Sequence, residues 1–280
     1  MNAANVRIVA DSSCDMSVLN DISFVTAPLK IITTRQEYVD DTELDVRGMV
    51  EELEDYKGRT STSCPNVGDW LRAFGDAEQV FCVTITGTLS GSYNAAVLAA
   101  GTYEEMYPGR RVFVMNSLTT GPEMGLLIEK LRELLLAGLD FDAVCREITA
   151  YSEKTGLLFM LESMKNLANN GRVSPLVAKM AGLLGIRVVG KASDQGDLEP
   201  LSKCRGERRA LEAMVEYMRE LGLRGGRVKI SHCLNEKAAE TLKQMIRSHF
   251  EKVRVDICEC RGLCSFYAEK GGLLVGFEKI

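Results

Sequence analysis

The feature that most constrains this chain is a repeated unit. A short apolar, β-branched run stops abruptly at polar residues that begin helices well. Val6 to Ala10 runs into Asp11-Ser12-Ser13-Cys14-Asp15. Gln79 to Ile85 runs into the Gly/Ser/Thr segment Thr86 to Ser92, and Arg111 to Met115 runs into Asn116-Ser117. Asp, Ser, Thr and Asn accept hydrogen bonds from the free N–H groups of a first helical turn. Strands that each end at such a cap, with helical patterns between them, imply a parallel sheet wound on both faces, an α/β fold.

Further elements follow from periodicity. Phe24 to Ile32 reads as a second strand, and Asp45 to Tyr56 as a helix with Val46, Met49, Val50 and Leu53 on one face. A helix is expected to begin near Pro65, because proline suits a position that needs no N–H. Helices are also expected over Tyr93 to Ala100, Pro122 to Ala137 and Phe141 to Lys154. After Thr155 the texture changes. Ile186 to Gly190 and Leu198 to Cys204 flank the polar turn Ser193-Asp194-Gln195-Gly196-Asp197, which reads as a hairpin and so as a mixed sheet. The expected organisation is an N-terminal α/β domain over 1–155 and a second α/β domain over 156–280.

With 280 residues and a net charge of −5, the chain lacks the basic field of a nucleic-acid binder. No run approaches the ~18 apolar residues of a membrane span, and the start does not read as a signal peptide, so a cytoplasmic location is expected. Nine cysteines without an export signal argue against a disulfide framework. Cys258, Cys260 and Cys264 lack the spacing of a zinc site, so no metal is expected, and with no G-x-G-x-x-G fingerprint no cofactor is expected either.

Two segments carry the chemistry. The Thr86 to Ser92 loop sets Ser90, Gly91 and Ser92 after a buried strand and before a helix, where anions find free N–H groups and a partial positive charge. Thr62-Ser63-Cys64-Pro65 reads as a second hydroxyl-rich helix start. Taken alone, each is better explained as a plain cap, and two such starts in one wound sheet make a shared anion pocket the competing reading. Enzyme signatures fail. Leu89 stands where a nucleophile elbow needs serine. Ala192 stands where a P-loop needs Ser or Thr. His232 and His249 read as surface or loop residues with no reason to join a triad. Arg205, in Lys203-Cys204-Arg205, could pair with an acidic ligand or belong to a solvated basic cluster. Arg172, after a Gly171 that suits a helix C-cap, could brace an interface or face water. Asp11 reads as structural.

Six segments in order then resemble one family. Asp11-Ser12-Ser13-Cys14-Asp15 is similar to D-S-S-A-D, Thr62-Ser63-Cys64-Pro65 to T-S-Q-P, and Leu89-Ser90-Gly91-Ser92-Tyr93 to L-S-G-T-Y. Asn170-Gly171-Arg172-Val173-Ser174 resembles G-G-R-I-S, Leu183-Leu184-Gly185-Ile186-Arg187 resembles L-L-N-I-K, and Lys203-Cys204-Arg205 resembles K-x-R. These are motifs of the DegV family of bacterial fatty-acid-binding proteins, the acyl-binding partners of fatty acid kinase. The resemblance implies a two-domain fold that holds a long-chain fatty acid, its carboxylate bound by Thr62 and Ser90 with Ser63, Gly91 and Ser92 close by. It implies that phosphorylation, where it occurs, is done by the kinase partner. It makes Arg205 and Tyr267 head-group neighbours. Tyr267 stands where the family has a histidine, and that departure bears on phosphotransfer more than on binding. The resemblance also implies a tail-lining pool, drawn here from Leu157, Leu158, Phe159, Met160, Leu176, Met180, Leu183, Leu184 and Ile186. The competing readings are a hydrolase with Ser90 as nucleophile, a phosphotransferase on a small acidic or acyl substrate, and a regulatory protein without ligand.

Overall fold

The computed structural model describes residues 6–178 and 185–279. Four parallel strands form the first sheet: β1 (Val6–Asp11), β2 (Ser23–Ala27), β6 (Gln79–Thr84) and β7 (Arg111–Asn116), in the order β2-β1-β6-β7. Both faces are covered, which is why the strands read as unbroken apolar runs. Alternation sends Ile8, Ala10, Phe81 and Val83 to one face, against α4 (Gly121–Leu136) and α5 (Phe141–Ser152). It sends Val9, Val80 and Cys82 to the other, against α2 (Val67–Phe74) and α3 (Ser92–Met106). Each fully buried Val, Leu, Ile or Phe contributes about 1.5–3 kcal/mol.

The expected strand over Phe24 to Ile32 is in fact two strands in two sheets. Pro28 has no N–H to give a ladder, and the chain turns there from β2 into β3 (Lys30–Thr33). With β4 (Glu37–Val39) and β5 (Thr60–Ser63), β3 forms a small antiparallel sheet ordered β4-β3-β5, which the sequence reading missed. Thr62 and Ser63 therefore lie on a strand, not at a helix start. The expected helix at Asp45 to Tyr56 is present as α1 (Val46–Glu54). Helix α2 starts after Pro65, at an Asn66–Asp69 capping box that satisfies two backbone N–H groups.

The second half builds a six-stranded mixed sheet from β8 (Thr155–Leu161), β9 (Ile186–Ala192), β10 (Leu198–Arg205), β11 (Gly226–His232), β12 (Val253–Glu259) and β13 (Leu273–Glu278). Its order is β10-β9-β8-β13-β11-β12, with only β11 and β12 parallel. The hairpin expected around Ser193 to Asp197 joins β9 to β10. Short helices α6 (Lys165–Asn169) and α7 (Pro175–Ala178) follow β8, while α8 (Glu207–Glu220) and α9 (Glu236–His249) cover one face. Helix α4 packs against both large sheets, touching β1 and β6 on one side and β8, β11 and β13 on the other.

The last helix, α10 (Gly262–Ala268), was not expected. Seven residues carry too little periodicity to announce a helix. Side chains far away in sequence hold it instead. The fully buried Asp40 carboxylate accepts the N–H groups of Gly262 and Leu263 at 2.8 and 2.9 Å, and Asp15 Oδ1 accepts that of Arg261 at 2.7 Å. The Arg261 guanidinium in turn donates to the Asp41 carbonyl.

Candidate functional site

A cavity of about 270 Å³ opens where β5, the loop before α3, α10 and the face of β8 meet. Its polar side is made by Thr62, Ser63, Ser90, Tyr267 and Arg172, with the backbone of Gly91 and the thiol of Cys64 beside them. Its other walls are apolar: Leu29, Ile85, Leu157, Phe159, Leu161, Leu167, Leu198, Leu263 and Leu274. Strand alternation decides the β8 contribution. Leu157, Phe159 and Leu161 face the cavity, whereas Leu158 and Met160 point into the core under α8 and α9.

The hydroxyls are set up to donate. Thr62 Oγ1 and Tyr267 Oη lie 2.8 Å apart. Two hydroxyls hold two hydrogens and one is spent between them, so one remains for a ligand. Ser90 Oγ accepts the Ser92 N–H at 3.3 Å, which leaves the Ser90 hydrogen free. Burial pushes the Tyr267 hydroxyl pKa up, although Thr62 and the positive charge of Arg172 pull the other way, so at neutral pH it is a protonated donor. Arg172 is anchored by bonds from Nε to the Leu89 carbonyl at 3.0 Å and from Nη1 to the Asn170 carbonyl at 2.5 Å. Its cationic head therefore stands beside the serine loop. The arrangement gives an anion donors and a nearby positive charge, and gives an aliphatic group a dry wall.

Asp11 is the brace beneath the loop. Fully buried at the end of β1, it accepts bonds from Ser13, from the Ile85 N–H at 2.9 Å and from Ser92 Oγ at 2.6 Å. Desolvation raises its pKa and the hydroxyl and N–H donors oppose the rise. Asn116 supports the neighbouring turn, its Oδ1 accepting the N–H of Gly87 at 3.1 Å and of Leu118 at 3.3 Å.

Several expected site residues are elsewhere. Ser92 does not line the cavity, because its hydroxyl is buried against Asp11. Arg205 is exposed at the end of β10, an edge strand, and lies outside the cavity wall. Leu176 is 78% exposed on α7 and lies outside the cavity wall. Ile186 lines a separate, more polar cavity of about 340 Å³ with Met49, Leu53 and Phe266. Met180, Leu183 and Leu184 lie outside the described residues. The cavity does gather Thr62, Ser63, Ser90, Gly91, Tyr267 and Phe159. Arg172, Cys64, Leu29 and Leu274 are among the lining residues that sequence reasoning did not assign, with Ile85, Leu161, Leu167, Leu198 and Leu263. Arg172 had a visible signal, an arginine just after a left-handed glycine (Gly171, φ 73°), but nothing local tells which way it turns.

Neither histidine reaches the cavity. His232 is buried rather than on the surface, its Nδ1 accepting the Asn235 N–H at 3.3 Å, and burial lowers its pKa. His249 is exposed at the end of α9. Ser90 thus has no imidazole beside it. Among the described residues, no group of three or more His, Cys, Asp or Glu side chains is placed to hold a metal ion, and no helix is long and apolar enough to cross a membrane. All nine cysteines are free.

Comparison with known proteins gives one consistent answer. Residues 5–279 match the family model described as an uncharacterised protein of the DegV family. A DegV domain-containing protein of Streptococcus pneumoniae is 45% identical over 276 residues, covering 97% of this chain and 98% of that protein. The Fatty Acid Kinase (Fak) B3 protein of S. pneumoniae, solved loaded with linoleic acid, has 44% identity and a TM-score of 0.96, covering 99% of this chain and 100% of that one. A DegV family protein from Eubacterium eligens loaded with heptadecanoic acid has 41% identity and a TM-score of 0.96, covering 98% and 100%. The chain belongs to the DegV family.

Proposed function

We propose that the chain binds a long-chain fatty acid in this cavity and presents it to a fatty acid kinase. The carboxylate lies against Thr62, Ser90 and Tyr267, and the tail lies among Leu29, Ile85, Leu157, Phe159 and Leu274. A first lobe over 1–155 supplies Thr62 and Ser90, and a second over 156–280 supplies Tyr267 and the β8 wall. The observation that carries the reading is the cavity's division into a hydroxyl-lined side and an apolar remainder. Burial of an acyl chain is worth about 0.8 kcal/mol per methylene, which provides most of the affinity. The head group must keep its hydrogen bonds, because a buried carboxylate without them costs several kcal/mol. Neutral hydroxyls meet that need and form no covalent bond. The carboxylate then stays available as the nucleophile for a γ-phosphate that the partner kinase holds. The fatty-acid-loaded relatives support the same ligand class.

Native mass spectrometry of the purified protein tests this. The expected result is a mass excess matching a long-chain acid, lost when Thr62→Ala and Ser90→Ala are combined. A double variant that keeps its full lipid load refutes the head-group assignment. A wild-type protein that takes up no added acid refutes the function.

A further inference from the structure

The cavity-facing rows of the six-stranded sheet are uneven in size. In one row, Gly190 of β9, Phe159 of β8 and Leu274 of β13 stand side by side. Gly190 has ordinary negative φ, so its backbone does not require glycine. What excludes a side chain there is Phe159 together with the β10 backbone at Glu199. A side-chain carbon at position 190 would collide with Phe159 Cζ and stand 2.7 Å from Cε2 and 2.6 Å from the Glu199 carbonyl oxygen. The phenyl ring therefore lies down across the bare glycine and fills the groove that the missing side chain leaves open. The flanking row has Leu157 and Gly276. There the glycine makes room for backbone, since a carbon on Gly276 would meet Glu123 N and Cα at 2.5 and 2.6 Å. Only at Gly190 does a cavity-lining ring occupy the vacancy. Phe159 is itself buried, so the ring is packed on its sheet side by strand β9 and open on the other to the cavity.

We infer that the Phe159 ring, laid over Gly190, is the floor of the acyl cavity and sets the upper limit on the size of the acyl chain it accepts. The inference rests on the fatty-acid reading above and adds to it the determinant of ligand length. Shrinking the ring opens space toward β9 that further methylenes can fill. Adding a side chain at 190 lifts the ring into the cavity and removes space. Each methylene gained or lost changes the ratio of a longer to a shorter acid by about fourfold.

The test uses delipidated wild type, Phe159→Ala, Phe159→Leu, Gly190→Ala and Leu158→Ala. Each is incubated with an equimolar series of saturated acids from dodecanoic to eicosanoic, and the bound fraction is resolved by native mass spectrometry. Expected are a shift to longer acids in Phe159→Ala and, more weakly, in Phe159→Leu, and a shift to shorter acids in Gly190→Ala. Leu158→Ala, on the opposite face of the same strand, keeps the wild-type distribution. Phe159→Leu keeps the measurement open if the alanine variant does not fold. If both foldable Phe159 and Gly190 variants bind acid with the wild-type distribution, the floor is elsewhere and fatty-acid binding stands. If Leu158→Ala shifts the distribution as much as Phe159→Leu, the effect is general loosening and the inference fails. If the wild type binds no acid of the series, the fatty-acid reading falls and takes the floor with it.

Discussion

Replacing Tyr267 with phenylalanine removes one oxygen and leaves the ring, which packs edge-on against Phe266 at 4.8 Å. In the free protein the loss is one hydrogen bond to Thr62, 2.8 Å long. A neutral bond of this kind contributes about 0.5–1.5 kcal/mol net, so folding stability should fall by no more than that. In the proposed binding mode Thr62 donates to Tyr267 and the tyrosine hydrogen goes to the carboxylate, so the substitution removes the donor that faces the ligand. A hydrogen bond to a charged group is worth about 1.5–3 kcal/mol, which corresponds to a dissociation constant raised about 10- to 150-fold. The assay is competition between a fluorescent fatty acid and unlabelled ligands, run in parallel with the fatty acid and the alcohol of equal length. Because the alcohol carries no charge, its affinity should fall far less than that of the acid. Equal losses for acid and alcohol would mean that Tyr267 shapes the cavity rather than holding the head group. Undiminished acid binding by a folded Tyr267→Phe protein would remove the tyrosine from the site.

Other consequences can be measured on the same protein. Asp40→Asn leaves one of the two α10 N–H groups poorly paired in a buried place, so thermal unfolding should show a loss of about 1–3 kcal/mol, with weaker acid binding because α10 carries Tyr267. Leu158→Ala, facing the core under α8, should cost about 2–5 kcal/mol of stability and leave acid affinity unchanged, whereas Leu157→Ala should weaken binding of the tail. Burial raises the Asp15 pKa to about 7, only partly offset by the Arg261 N–H. In an unfolded chain an aspartate ionises near pH 4, at about 3.9. Between those values the folded protein holds the extra proton, so the stability from this group is complete below about pH 4 and is lost as pH rises through about 7. The melting temperature should therefore decline from pH 5 to pH 8, and Asp15→Asn should flatten the decline. An equal decline in the variant would assign it to Asp11 and Asp40, whose pKa values are raised by the same burial.

The fold class was legible because its causes are local. A strand buried on both faces must be apolar throughout, and β1, β6 and β7 are written that way; the side-chain cap expected after each forms only after β1, where Asp11 accepts the Ser13 N–H, whereas α3 and α4 begin at Gly91 and Thr120 without one. The β9–β10 hairpin was legible for the same reason, as two runs around a turn. Thr62 and Ser90 were found for a cause that was half right. Both carry hydroxyls into the cavity, but only Ser90 does so from the start of a helix. Thr62 does so from β5, whose partner β3 is nearly thirty residues away in the chain.

What the sequence determined by itself is the alternation of strands and helices, the family motifs, and the hydroxyls present at positions 62 and 90. Each of these is written in residues that are neighbours along the chain. What only the tertiary structure decided is which side chains share a space. Helix α10 exists because Asp15 and Asp40 receive its first N–H groups from more than two hundred residues away. That contact brings Tyr267 to Thr62, turns Arg172 from a loop arginine into a wall of the site, and leaves Ser92 beneath it on Asp11. On β8, the facing of the strand divides Leu157 and Phe159 from Leu158 and Met160, residues of the same chemistry that no composition could separate. The bonds that fix these choices join distant segments, and their energy is gained only when the sheets and α4 are already packed together.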